Sequence, residues 1–177
     1  RCRLVGSEMC IRDRSKPIIY CDMDGVLADF KTGAQRTTGM SINKWMNIPS
    51  SREKWSLIKA KKDFWSTLPW MPGGRQLWSY ISKFDPHILS AYVEESYDPN
   101  CIPGKTKWLN KNAGISNRSK INLVRRKEKK LFAKKGNPSI LIDDYEKNVR
   151  EFINAGGKAI HHTNTSKTIA QLKRLGF

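Results

Sequence analysis

Short apolar runs alternate along the chain with stretches whose apolar residues recur at helical spacing. Five runs read as strands: residues 16–24, built on Pro17-Ile18-Ile19-Tyr20-Cys21, then 86–90, 120–124, 139–144 and 158–161. Between them the spacing predicts helices over 30–40, from Ser50-Ser51-Arg52-Glu53 onward, over 75–83, from Gly104 to about 112, over 145–155 and over 166–175. Ser50 to Glu53 has the capping-box pattern of a helix start. Leu77, Trp78 and Ile81 share one face of their helix, and Val149, Phe152 and Ile153 are expected to point inward. Gly156-Gly157 stops the helix before it. The polar segment 91–103, with two prolines, reads as a loop bordering a site. The alternation predicts an α/β sheet of mostly parallel strands, with ligands beyond the C-terminal strand ends.

Composition narrows this picture. A chain of 177 residues suits one domain, and six Trp, six Phe and five Tyr supply material for its core. The longest apolar run falls far short of the ~20 residues a membrane-spanning helix needs, so no membrane partner is expected. Four scattered cysteines (2, 10, 21 and 101) show no metal-ligand spacing, and a reduced, cytoplasmic setting is the default expectation. The net charge is +17, from 33 Lys and Arg against 16 Asp and Glu, which points to an anionic partner. Because 21 of the 33 are Lys, a solvated basic surface is the alternative. Residues 1–15 do not read like the rest. The string LVGSEMCIRDR resembles one reading frame of a transposon-type sequencing adapter, so they are expected to be a non-native extension, with the domain spanning 16–177.

The chemistry concentrates where the first strand ends, in Asp22-Met23-Asp24-Gly25-Val26-Leu27-Ala28-Asp29-Phe30. Two carboxylates this close raise each other's pKa. A hard divalent cation such as Mg²⁺ removes that cost, taking carboxylate and phosphate oxygens as ligands. The fourth strand ends in two acids as well, Asp143 and Asp144. Adjacent strand residues point opposite ways, so the two are not expected to bind one ion identically.

DMDGVLADF after a short apolar strand resembles the first motif of the haloacid dehalogenase (HAD) superfamily of phosphotransferases, closest to its 5'(3')-deoxyribonucleotidase branch. The resemblance implies a Rossmann-like three-layer sandwich with a small helical cap inserted at about residues 30–72. It implies phosphomonoester hydrolysis with Asp22 as nucleophile and Asp24 as acid and base. Mg²⁺ would be held by Asp22, Asp24 through its backbone carbonyl, and Asp144, with Asp143 alongside. Ser90, at the end of the second strand, and Lys105, at the start of the following helix, match the family's phosphate-binding positions; Lys107 is the alternative lysine. In the family this lysine also keeps the nucleophile ionised. Phe30 sits at the family's base-contacting position, and Trp65 is the second candidate among the cap's aromatics for a flat wall against a nucleobase. Carbon–halogen hydrolysis needs neither a metal nor an acid at position 24, which disfavours a dehalogenase.

Three readings of function follow: a nucleoside monophosphate phosphatase, which is favoured; a phosphatase of nucleic-acid ends; and a non-catalytic nucleic-acid-binding protein. The run Arg125-Arg126-Lys127-Glu128-Lys129-Lys130 reads as a solvated helix face, with phosphate contact as its alternative. His161 and His162 read as loop residues, since adjacent histidines on a strand are poorly placed to chelate one ion.

Overall fold

The structure, a computed structural model, describes residues 16–177; the expectation for residues 1–15 lies outside them. Five strands form one sheet: β1 (Ile18–Cys21), β2 (His87–Ala91), β3 (Ile121–Val124), β4 (Ser139–Asp143) and β5 (Lys158–His161). Their order is β3-β2-β1-β4-β5, and every pair is parallel. β1 and β4 are central and buried on both faces, so they read as continuous apolar runs. Because all five strands point the same way, the loops after β1, β2, β3 and β4 gather at one edge.

Three helices follow β1: α1 (Phe30–Thr38), α2 (Ile42–Met46) and α3 (Ser51–Lys59). Asp29, Ser41 and Ser50 cap them, each accepting a hydrogen bond from a backbone N–H in the first turn. The two ends of this segment are tied together. Asp29 donates its backbone N–H to the Pro69 carbonyl, and Met71 donates to Leu27. A helix α4 (Gly74–Ser82) then leads into β2.

α5 (Cys101–Ala113) joins β2 to β3, and α7 (Thr165–Arg174) closes the chain. With α4 they cover one face of the sheet, over Ile19, Cys21, Ile88, Ile140, Ile142 and Ile160. A 3₁₀ helix (Arg126–Lys134) and α6 (Glu146–Asn154) cover the other, over Tyr20, Leu89 and Leu141. The result is the three-layer α/β sandwich expected.

Several local expectations differ from what forms. α5 starts at Cys101, earlier than Gly104, because Pro103 is tolerated in a first turn whose N–H groups have no helical partner. His161 belongs to β5 and is not a loop residue. Ile153 is 48% exposed, so Val149 and Phe152 alone anchor the apolar face of α6. The basic run 125–130 is not uniformly solvated: Lys129 is buried, while Leu131 stands 64% exposed.

Candidate active site

At the end of β1 the chain turns sharply at Gly25, whose φ is +81°. A Cβ there would lie 2.1 Å from Asp144 Oδ2. Only a residue without a side chain lets the first loop approach the end of β4 this closely. Through that contact the acids of two central strands come together: one oxygen each of Asp22, Asp143 and Asp144 lie within 4.8 Å of one another.

Two buried lysines answer these carboxylates. Lys129 Nζ lies 2.7 Å from Asp143 Oδ2 and 3.1 Å from Asp22 Oδ1. Lys105 Nζ donates to Asp24 Oδ2 at 2.6 Å, to Ser90 Oγ at 3.0 Å and to the Ala91 carbonyl at 2.6 Å. The family resemblance implies one lysine, Lys105, beside the nucleophile. In the folded chain two lysines stand among the acids: Lys105 meets Asp24 and Ser90, and Lys129 meets Asp22. Lys107, the alternative, lines a groove on α5 away from the acids.

The roles of Asp143 and Asp144 separate on hydrogen bonding. Asp143 accepts from Lys129 Nζ, Asn148 Nδ2 and the backbone N–H of Tyr145. Three of its roughly four lone-pair sites are thereby occupied. The Asp144 carboxylate accepts from no other side chain among the described residues and faces a cavity of about 160 Å³ lined by Asp24, Gly25, Asp29, Phe30, Lys31, Met71 and Asp144. Burial, then the charge of Asp22, pushes the Asp143 pKa up to about 6 against the pull of Lys129. Burial and the charges of Asp22 and Asp143 push Asp144 up to about 7. Burial also raises Asp24, against the opposing effect of Lys105. For Lys129, the attraction of Asp22 and Asp143 outweighs burial and holds its pKa above the ordinary lysine value.

Four carboxylates against two ammonium groups leave a deficit of two positive charges. Oxygen donors and a twofold charge deficit suit a hard divalent cation such as Mg²⁺. Asp24 Oδ1 is buried without a hydrogen-bond partner, as a group awaiting a ligand would be. The residues therefore fit the ion: Asp22 and Asp144 would be its side-chain ligands, and Asp143, held by Lys129, Asn148 and Tyr145, would stand beside them.

The aromatic candidates fall in different places. Phe30 is half-buried and lines the cavity. Trp65 is 2% exposed and does not line it. Its ring stacks on Phe30 at a centroid separation of 5.5 Å, its Nε1–H donates to Asp98 at 2.7 Å, and Lys105 Nζ sits 5.1 Å from its centroid. Trp65 thus supports Phe30 and Lys105 from behind. Lys129 and Lys31 do not stand out in the sequence. Lys129 is one basic residue in a basic run, and its one signal is proximity to a strand end.

No protein-family model and no curated protein matches the sequence. Solved structures do. A hydrolase from Streptococcus pneumoniae TIGR4 is similar at a TM-score of 0.56 and 11% identity, over 90% of this chain and 99% of that one. L-2-haloacid dehalogenase from Xanthobacter autotrophicus is similar at a TM-score of 0.52 and 15% identity, over 82% of this chain and 76% of that one. The same dehalogenase with chloropropionic acid covalently bound gives 0.52 and 14%, over the same shares of the two chains. At these identities the likeness establishes the fold: this chain has the haloacid-dehalogenase-like α/β fold.

Proposed function

We propose that the protein is a Mg²⁺-dependent phosphomonoester hydrolase working through a covalent aspartyl-phosphate. The observation that carries this reading is the meeting of Asp22, Asp143 and Asp144, with Asp24 paired to Lys105 beside them. Asp22 Oδ1 is engaged by Lys129 and by the backbone N–H of Met23. Oδ2 accepts no hydrogen bond from a described residue, which leaves it as the attacking atom. Asp24 lines the cavity, where it gives a proton to the departing oxygen and then takes one from the water that cleaves the acyl phosphate. Its raised pKa suits both proton transfers. Lys105 and Ser90, bonded to each other and through Lys105 to Asp24, are the groups read as holding phosphoryl oxygens, and Lys129 pairs with Asp22 and aims it. When bound, the metal offsets charge on those oxygens.

For the substrate, a nucleoside monophosphate is the favoured reading, with Phe30 as the apolar wall for the base. A cavity of about 160 Å³ has room for little more than the phosphoryl group, so the leaving group extends past Phe30, Lys31 and Met71. That observation supports a second reading, a terminal phosphate on nucleic acid, where Lys31 would meet the next phosphate. Such an enzyme would use the high positive charge of the chain.

The test is phosphate release with and without Mg²⁺ from ribo- and deoxyribonucleoside monophosphates, an aryl phosphate and a 3'-phosphorylated oligonucleotide, with Asp22→Asn as control. Release from mononucleotides supports the first reading, and preference for the oligonucleotide supports the second. Release that is metal-independent or survives in Asp22→Asn refutes the mechanism.

A further inference from the structure

We propose that the groove between α5 and the edge strand β3 binds an acidic, extended segment of a partner protein, which adds to the sheet as a strand beside β3. This surface is independent of the catalytic reading.

β3 ends the strand order, so one of its sides has no strand neighbour among the described residues. Ile121 and Leu123, two residues apart on one face, form the floor of a groove of about 560 Å³. Ile102, Thr106 and Asn110, spaced by helical turns along α5, form its wall together with Pro103 and Lys107; Arg118 lies at one end. Ile102 is 43% exposed there. A groove bounded by an edge strand on one side and a helix on the other suits an added strand. Backbone hydrogen bonds give such a strand its affinity, and alternate side chains fill the pocket.

Charge selects the occupant. Neither Lys107 nor Arg118 has a carboxylate within ion-pairing distance among the described residues, and no acid lines the groove. Of the basic residues flanking β3, Lys120, Arg125 and Arg126 pair with Asp85, Glu94 and Glu151, which leaves Arg118 before the strand and Lys127 after it without an ion pair among the described residues. A second copy pairing antiparallel through β3 would set Arg118 of one copy towards Lys127 of the other, and like charges facing across strands are unfavourable. A polynucleotide would find no aromatic side chain in the groove on which to stack a base. A segment with alternating apolar and acidic residues satisfies the apolar floor, the unpaired cations and the open edge together.

The probe is a short fluorescein-labelled peptide of alternating Val and Glu, titrated with the full chain and followed by anisotropy. Its counterpart carries Lys in place of Glu. We expect the acidic peptide alone to bind, more weakly as salt is raised. Amide shifts should map to β3 and α5. The surface double variant Lys107→Glu with Arg118→Glu should weaken binding about tenfold or more. Any one of four results overturns the proposal: equal binding of the basic peptide, no saturable binding, displacement of the peptide by single-stranded DNA, or a chain that doubles its mass with concentration through this face.

Discussion

Lys129 and Asp22 meet as an ion pair of 3.1 Å with both side chains almost out of reach of solvent. The same ammonium holds Asp143 at 2.7 Å, so one buried cation compensates two strand-end acids. Removing one partner of a buried ion pair leaves an uncompensated charge, at a cost of about 3–5 kcal/mol. Lys129→Met should lower stability to urea by that order. Lys127→Met and Lys130→Met, at more accessible positions in the same run, should change it by no more than ~0.5 kcal/mol. Equal effects at the three positions would refute the assignment.

The raised carboxyl groups set a pH dependence. For Asp143 and Asp144 the folded pKa values, about 6 and about 7, lie above the ordinary aspartate value. Between those limits the folded state holds more protons than the unfolded state. Metal-free protein should therefore lose stability as pH rises from the ordinary aspartate pKa through about 7. Mg²⁺ should raise the melting temperature more at neutral pH than at about pH 5, since it binds the deprotonated site. Thermal unfolding in chelator and in Mg²⁺ at the two pH values checks this.

Gly25→Ala places a methyl group where the Asp144 carboxylate stands and forces an L-residue to a φ of +81°. Asp144 must move away. A displacement of about 1 Å in an active site costs on the order of a hundredfold in rate. Weaker Mg²⁺ binding by calorimetry should accompany the loss. Unchanged metal affinity would separate Gly25 from the metal site.

Trp65→Ala tests whether that ring packs or binds. A buried Trp replaced by Ala costs about 3–5 kcal/mol, and denaturant unfolding should show it. Lys31→Glu, at an exposed rim position, should leave stability within ~0.5 kcal/mol while raising KM for anionic substrates. A Trp65→Ala protein of normal stability with a raised KM would return Trp65 to the substrate wall.

The parts legible in the sequence are those where one local signal suffices. Ile18 to Cys21 and Ser139 to Asp143 lie in the middle of the sheet, so their apolar runs announced strands, and the acids at their ends announced the carboxylate cluster. Lys105, singled out by its order along the chain, stands beside Asp24 and Ser90. Lys129 was not, because burial of a lysine depends on distant partners, here Asp22 and Asp143, that no local pattern encodes. Hydropathy even inverted its neighbourhood, where Leu131 is exposed and Lys129 is enclosed. The aromatics of residues 30–70 were visible as a group. Which ring faces the cavity depends on how they pack against one another: Phe30 touches the rings of Trp45, Trp55, Phe64 and Trp65.

That cluster also fastens the helices after β1 to the rest of the chain. The ring of Trp65 is bonded to Asp98 in the loop before α5, and its Cβ lies where a side chain on Gly104 would sit. Trp108 of α5 donates in turn to the Leu68 carbonyl. The helices after β1 are thereby bolted to the sheet domain by buried aromatic hydrogen bonds, and lifting them would expose several indoles at once. In the proposed hydrolase, substrate would enter by the rim between Phe30, Lys31 and Met71, and selection would fall on the shape and charge of that entrance.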